Sequence, residues 1–166
     1  AWMSYGGLTY TETTYTWKPY ATVAVLYMSG DDERYDDPTA GGTDTGWNPV
    51  FNRSTWFSEL MTGETATYRW SNLIYPHAEV GIRPAKDHTA FIQGGPHYAA
   101  EQDNANGDAY RGLFLMARYD FPLVRKAFAG RGDLNGAVLA ELLDAGDYTS
   151  EPETAYYLRF EISAKF

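Results

Sequence analysis

From Leu158 to Phe166 every second residue is apolar: Leu158, Phe160, Ile162, Ala164 and Phe166. Arg159, Glu161, Ser163 and Lys165 stand between them. A period of two belongs to the β-strand, whose successive side chains point to opposite faces. The pattern recurs in 113–121, where Leu113, Leu115, Ala117, Tyr119 and Phe121 share one face and Phe114, Met116, Arg118 and Asp120 the other. It recurs again in 74–83, with Ile74, Pro76, Ala78, Val80 and Ile82 against Tyr75, His77, Glu79, Gly81 and Arg83. Seven segments read as strands on this basis: 2–10, 19–28, 69–83, 88–100, 110–121, 133–144 and 154–166. The fourth is interrupted by Gly94, Gly95 and Pro96, and the sixth also passes for a short helix around AVLAELL. The 14 tyrosines, with abundant Trp, Phe and Thr, favour strands over helices. One all-β, antiparallel domain over 1–166 is the expectation.

The connections alternate in kind. Compact turns at 11–18, 84–87 and 122–132 face longer polar loops at 29–68, 101–109 and 145–153. The loop regions 29–68, 101–109 and 144–153 hold 15 of the 22 acidic residues and only two basic ones, Arg34 and Arg53. The turns carry Lys18, Lys86, Arg125, Lys126 and Arg131, so one rim is acidic and the other mildly basic.

Which face of the strands is inside decides the fold. On alternation alone, an antiparallel sheet with an apolar core and a solvated charged face is the readier explanation. The loop asymmetry, however, matches a transmembrane β-barrel with short turns on one side of the membrane and long loops on the other. Aromatic residues also gather at strand ends: Trp2, Tyr27, Tyr68, Trp70, Tyr98, Tyr110, Tyr156 and Tyr157 toward the loops, and Tyr10, Tyr20, Tyr119, Phe121 and Phe166 toward the turns. Such bands are selected at lipid interfaces. The third indication is the small outward residues Ala78, Gly136, Ala140 and Ala164, which a lipid face tolerates, whereas a packed core would need larger partners opposite them. The reading that follows is a transmembrane β-barrel whose apolar set faces lipid. Its pore lining would be Arg83, Arg118, Arg159, Lys165, Glu79, Glu141 and Glu161.

Several stretches then resemble a known family. YMSGDD, GWNPVFNRSTWFSEL, RGLFLMARYDFPL, GDLNGAVLAELLDAGDY and the terminal TAYYLRFEISAKF, in that order, resemble the C-terminal part of the alginate-export family of outer-membrane porins. The final Phe166 on an alternating aromatic strand resembles the signal read by the outer-membrane assembly machinery. The resemblance implies about seven C-terminal strands of a barrel of about 16–18. It implies a bacterial outer-membrane location with a periplasmic C-terminus and an extracellular loop at 29–68. The function implied is passive passage of solutes or polysaccharide, with lipid, lipopolysaccharide and the assembly machinery as partners. An exporter of a polyanion should carry a basic constriction. The inward set here is nearly balanced in charge, so alginate itself is not carried over. The alternatives are a plugged structural or partner-binding outer-membrane barrel, and a soluble β-sandwich or barrel that acts as a binding module.

Little points to chemistry, and the expectation is a protein that is not an enzyme. Absence of cysteine removes disulfides, thiolate metal sites and a thiol nucleophile. The net charge of −9 argues against nucleic acid as a partner. No Gly-Xaa-Ser-Xaa-Gly element, phosphate loop or dinucleotide fingerprint is present. No cofactor is expected beyond a calcium ion that the acidic loop could hold through Asp31, Asp32, Asp36 and Asp37, against the plainer reading of a solvated loop. His77, His88 and His97 show no third-ligand pattern for a metal. Glu141 and Glu161, on neighbouring strands, fit an electrostatic ladder with Arg118 and Arg159 better than a hydrolytic pair.

Overall fold

In a computed structural model the described residues are 2–30, 60, 72–101, 109–146 and 154–165. They form one antiparallel sheet of seven strands: β1 (Met3–Thr11), β2 (Tyr20–Met28), β3 (Leu73–Ile82), β4 (Thr89–Tyr98), β5 (Tyr110–Lys126), β6 (Gly132–Ala145) and β7 (Thr154–Lys165). Their spatial order is their sequence order. A single helical turn, α1 (Ala127–Gly130), sits between β5 and β6. AVLAELL is strand, not helix, because β6 is held on both sides: Ala140 stands opposite Ala117 of β5 and Leu158 of β7.

The registers carry residues of one kind across the whole sheet. One row runs Tyr10, Ala21, Val80, Ile92, Ala117, Ala140, Leu158, each residue opposite the next. The adjacent row on the other face runs Thr9, Thr22, Glu79, Gln93, Met116, Glu141, Tyr157. A one-residue slip anywhere would exchange these sets, so the alternation restricts the register to steps of two residues. The turns depend on positive-φ residues. Lys18 (φ 40) closes the β1–β2 turn, where its amide donates to the Tyr15 carbonyl at 3.0 Å, and Asp87 (φ 62) closes β3–β4.

The ladder is irregular at three places. Between β3 and β4 the paired residues pass from Ala78↔Gly94 to Ile74↔Tyr98. Pro76 and Pro96 fall in this gap and have no N–H to give. Gly95 of β4 stands here with the Pro76 carbonyl of β3 against it. Between β4 and β5 the register shifts at His97/Tyr98, and between β5 and β6 it shifts between Pro122 and Val124, where β5 runs on toward its turn.

The core lies on the mixed face, toward the strand ends nearest 29–72. Leu26, Met28, Leu73, Tyr75, Phe114, Met116, Leu139 and Leu143 pack there with Leu60. Leu60 is held by more than packing: its amide donates to Glu141 Oε2 at 3.0 Å, a contact across 81 positions of sequence. The opposite face is the apolar one, and it is open. Leu8 is 79% exposed, Leu158 75%, Ile162 63% and Val80 59%.

The all-β antiparallel character is as expected, and the transmembrane barrel is not. β1 and β7 stand at opposite ends of the strand order, and β1 does not pair with β7. The structure is therefore an open seven-stranded sheet, not about seven strands of a closed barrel of 16–18. Alternation and turn lengths are local properties shared by both architectures. Closure depends on pairing at the outermost strands, which those properties do not specify.

Candidate functional site

Two surfaces compete as the functional site: the mixed face with its charges and the open apolar face. On the mixed face, Arg118 is the organising cation. Its Nε donates to both Asp120 carboxylate oxygens at 3.0 Å, and Nη2 donates to Asp120 Oδ1 at 2.8 Å and Glu161 Oε2 at 3.3 Å. Arg159 reaches the other oxygen of Glu161 at 2.7 Å. Glu161 is thus shared by two arginines of one cross-strand row, Arg118 and Arg159, which flank Leu139. Asp120 first, then Glu161, hold the Arg118 guanidinium even more firmly protonated than usual. Arg83 lies over the Tyr20 ring at 4.6 Å. Burial, with the Glu79 carboxylate beside it, pushes the Tyr20 phenol up. Lys165 is exposed at the end of β7, opposite Asp133.

Glu141 and Glu161 do not meet. Glu141 stands opposite Tyr157, four positions from Glu161, which is about 13 Å at the rise of a strand. Glu141 instead binds Leu60, so no hydrolytic pair forms. The histidines are also divided. His88 bonds the Tyr119 hydroxyl at 2.7 Å on the turn side. His77 stacks on Tyr75, with ring centroids 4.6 Å apart, and His97 meets the same ring edge-on at 6.5 Å. Burial lowers the His77 imidazole. Burial first and the neighbouring Arg111 charge second bring His97 down to about 4. Among the described residues no group of three His, Asp or Glu side chains could hold a metal ion. Asp31, Asp32, Asp36, Asp37 and Phe166 lie outside the described residues.

The mixed face therefore shows paired charges and buried rings, an arrangement that braces the sheet. The apolar face differs. Its central row, Tyr10 to Leu158, contains no charge. Three alanines in that row, Ala21, Ala117 and Ala140, leave an open groove of about 750 Å³ bordered by Val80, Ile92 and Val138. Leu60, Tyr75 and Arg111 were not marked by the sequence. Tyr75 alternates in phase with His77, which offered a weak signal, whereas nothing local marks Leu60 as the residue that docks on Glu141.

No family model, no curated protein and no solved structure matches this chain. The resemblance to the alginate-export porins is accordingly not upheld. The pore function goes with it, because an open sheet encloses no lumen for Arg83, Arg118, Arg159, Lys165, Glu79, Glu141 and Glu161 to line. The outer-membrane location, the periplasmic C-terminus and the partners tied to them (membrane lipid, lipopolysaccharide, the assembly machinery, a transported solute or polysaccharide) are corrected on the same ground. What the fold and the surface define is a two-faced open β-sheet.

Proposed function

We propose that this chain is a non-enzymatic binding module that docks a protein partner on its apolar sheet face. The observation that carries this reading is the inverted exposure of the sheet. The charged face is partly covered, with Glu141 buried and bonded to Leu60, while the uncharged row from Tyr10 to Leu158 lies open across seven strands. Exposed contiguous apolar surface on this scale marks an interaction site, because each apolar side chain covered by a partner leaves water. The small residues of the row supply a concavity, and Val80 and Ile92 supply its walls. An apolar ridge on a partner, two or three side chains wide, fits that shape.

The test is photo-crosslinking in the source cells from a diazirine amino acid placed at Ile92, with Thr13 in the β1–β2 turn as the control position. A defined protein adduct from position 92, absent from position 13, is expected. Lipid adducts alone, or equal labelling from both positions, would overturn the reading. Val80→Lys in the same chain should abolish the adduct from 92 while leaving the circular dichroism of the sheet intact.

A further inference from the structure

The edge of the sheet at β7 offers a second and independent contact. Among the described residues β7 pairs with β6 alone, in an unbroken register from Asp133↔Lys165 to Asp144↔Thr154. Its 12 residues contain no proline, no glycine and no bulge. A regular strand of this length at an edge presents a row of backbone donors and acceptors to any strand that can match it. We propose that the strand which matches it is β7 of a second copy of this chain, paired antiparallel about a two-fold axis at Phe160, so that two sheets become one.

The sequence around Phe160 is self-complementary in that register and in no neighbouring one. Leu158-Arg159-Phe160-Glu161-Ile162, run against itself about Phe160, sets Arg159 opposite Glu161 of the second copy, and Glu161 opposite its Arg159. Phe160 then meets Phe160, and Leu158 meets Ile162, all on the other face. Directly opposite residues of opposite charge, or of matched apolar character, are the stabilising pairs of a sheet. Moving the axis to Arg159 places arginine against arginine, and moving it to Glu161 places glutamate against glutamate. A register displaced by one residue sets apolar side chains against charged ones and exchanges the faces.

The side chains are placed for the purpose. Arg159 and Glu161 already touch at 2.7 Å along the mixed face, with side chains 22% and 35% exposed. Across the seam they would extend into a ladder of four alternating charges. Leu158, Phe160 and Ile162 are exposed on the apolar face, where the second copy would cover part of them. The β1 edge does not compete. Its MSYGGLTYT has no charge and two central glycines, so it specifies no register.

Sedimentation equilibrium of the full chain over a concentration series should show a dimer. Glu161→Arg and Arg159→Glu should each weaken it at least tenfold, because each places like charges opposite one another at both contacts. A mixture of the two variants should form a heterodimer, since every facing pair is then opposite in sign. The chain has no cysteine, so Phe160→Cys supplies a second measurement that does not depend on the charge variants folding. Mild oxidation should link two Phe160→Cys copies to each other and leave Ile162→Cys copies unlinked. A wild-type chain that stays monomeric overturns the proposal. So does a mixture that fails to associate from folded variants, or a dimer in which Phe160→Cys does not crosslink. The last result would place the contact on another edge or on the apolar face.

Discussion

Gly95 imposes a strict local requirement on this sheet, and replacing it with alanine turns that requirement into a number. A methyl group there would lie 2.1 Å from the Pro76 carbonyl oxygen and 2.9 Å from His77 Cα. Ordinary contacts of this kind lie at about 3.5 Å. β3 and β4 would have to part by more than about 1 Å, and both opposing atoms are backbone, with no flexible side chain to give way. Overpacking costs about 1–3 kcal/mol, and a clash against rigid backbone belongs at the upper end, about 3 kcal/mol. Gly6→Ala is the matched control. No heavy atom lies within 4 Å of its added methyl. Alanine there reduces the freedom of the unfolded chain and stabilises by about 0.5 kcal/mol. In urea unfolding followed by circular dichroism, a slope of about 2 kcal/mol/M translates these values into a midpoint lower by about 1.5 M for Gly95→Ala. For Gly6→Ala it gives a midpoint higher by about 0.25 M. Hydrogen exchange should locate the first loss in β3 and β4. A Gly95→Ala midpoint within about 0.3 M of wild type would refute the close approach of the two strands.

Two further outcomes follow from the charged face. His97 is 1% exposed and its imidazole is held down at about 4, whereas in the unfolded chain it titrates near about 6.5. Between those values the unfolded state binds a proton that the folded state refuses. The contribution is therefore complete above about pH 6.5 and is lost as the pH falls toward 4, by at most about 3 kcal/mol. His77, lowered by burial, acts in the same direction. His97→Gln should flatten this part of the curve of urea midpoint against pH, and parallel curves for the two proteins would count against the assignment. Arg118→Met removes the bonds to Asp120 and Glu161. With the Arg118 side chain 28% exposed, the loss should be about 1 kcal/mol and should shrink at high salt. A loss that is independent of salt would assign the role of Arg118 to packing.

Strands were legible because their signal is local. Leu158 through Ala164 shows its period within a few residues, and the pairing of Ala140 with both Ala117 and Leu158 resolves the helix-like AVLAELL as strand. The Arg118–Glu161–Arg159 cluster was legible for a similar reason: alternation assigns Arg118 of β5 and Arg159 and Glu161 of β7 to one face, across β6. Three features were not legible. Closure is decided by whether the outermost strands pair, and the alternation of β1 and β7 is the same in either case. The docking of Leu60 on Glu141 spans 81 positions and carries no periodic trace. The separation of Glu141 from Glu161 depends on the absolute register of β6 against β7, which the sequence leaves free in steps of two residues.

The proposed face contact and the proposed edge contact would reinforce each other for a geometric reason. In the Phe160 register, residues of equal parity stand opposite, so the two-fold axis is perpendicular to the sheet and both apolar faces lie on the same side. The row that ends at Leu158 in one copy then continues into Ile162 of the next. A partner docked near the seam would touch both copies and would bind the dimer more tightly than the monomer. By linkage it would strengthen the dimer by the same factor. A partner that binds wild type and Glu161→Arg with equal affinity must therefore sit toward the β1 side of the row, away from the seam.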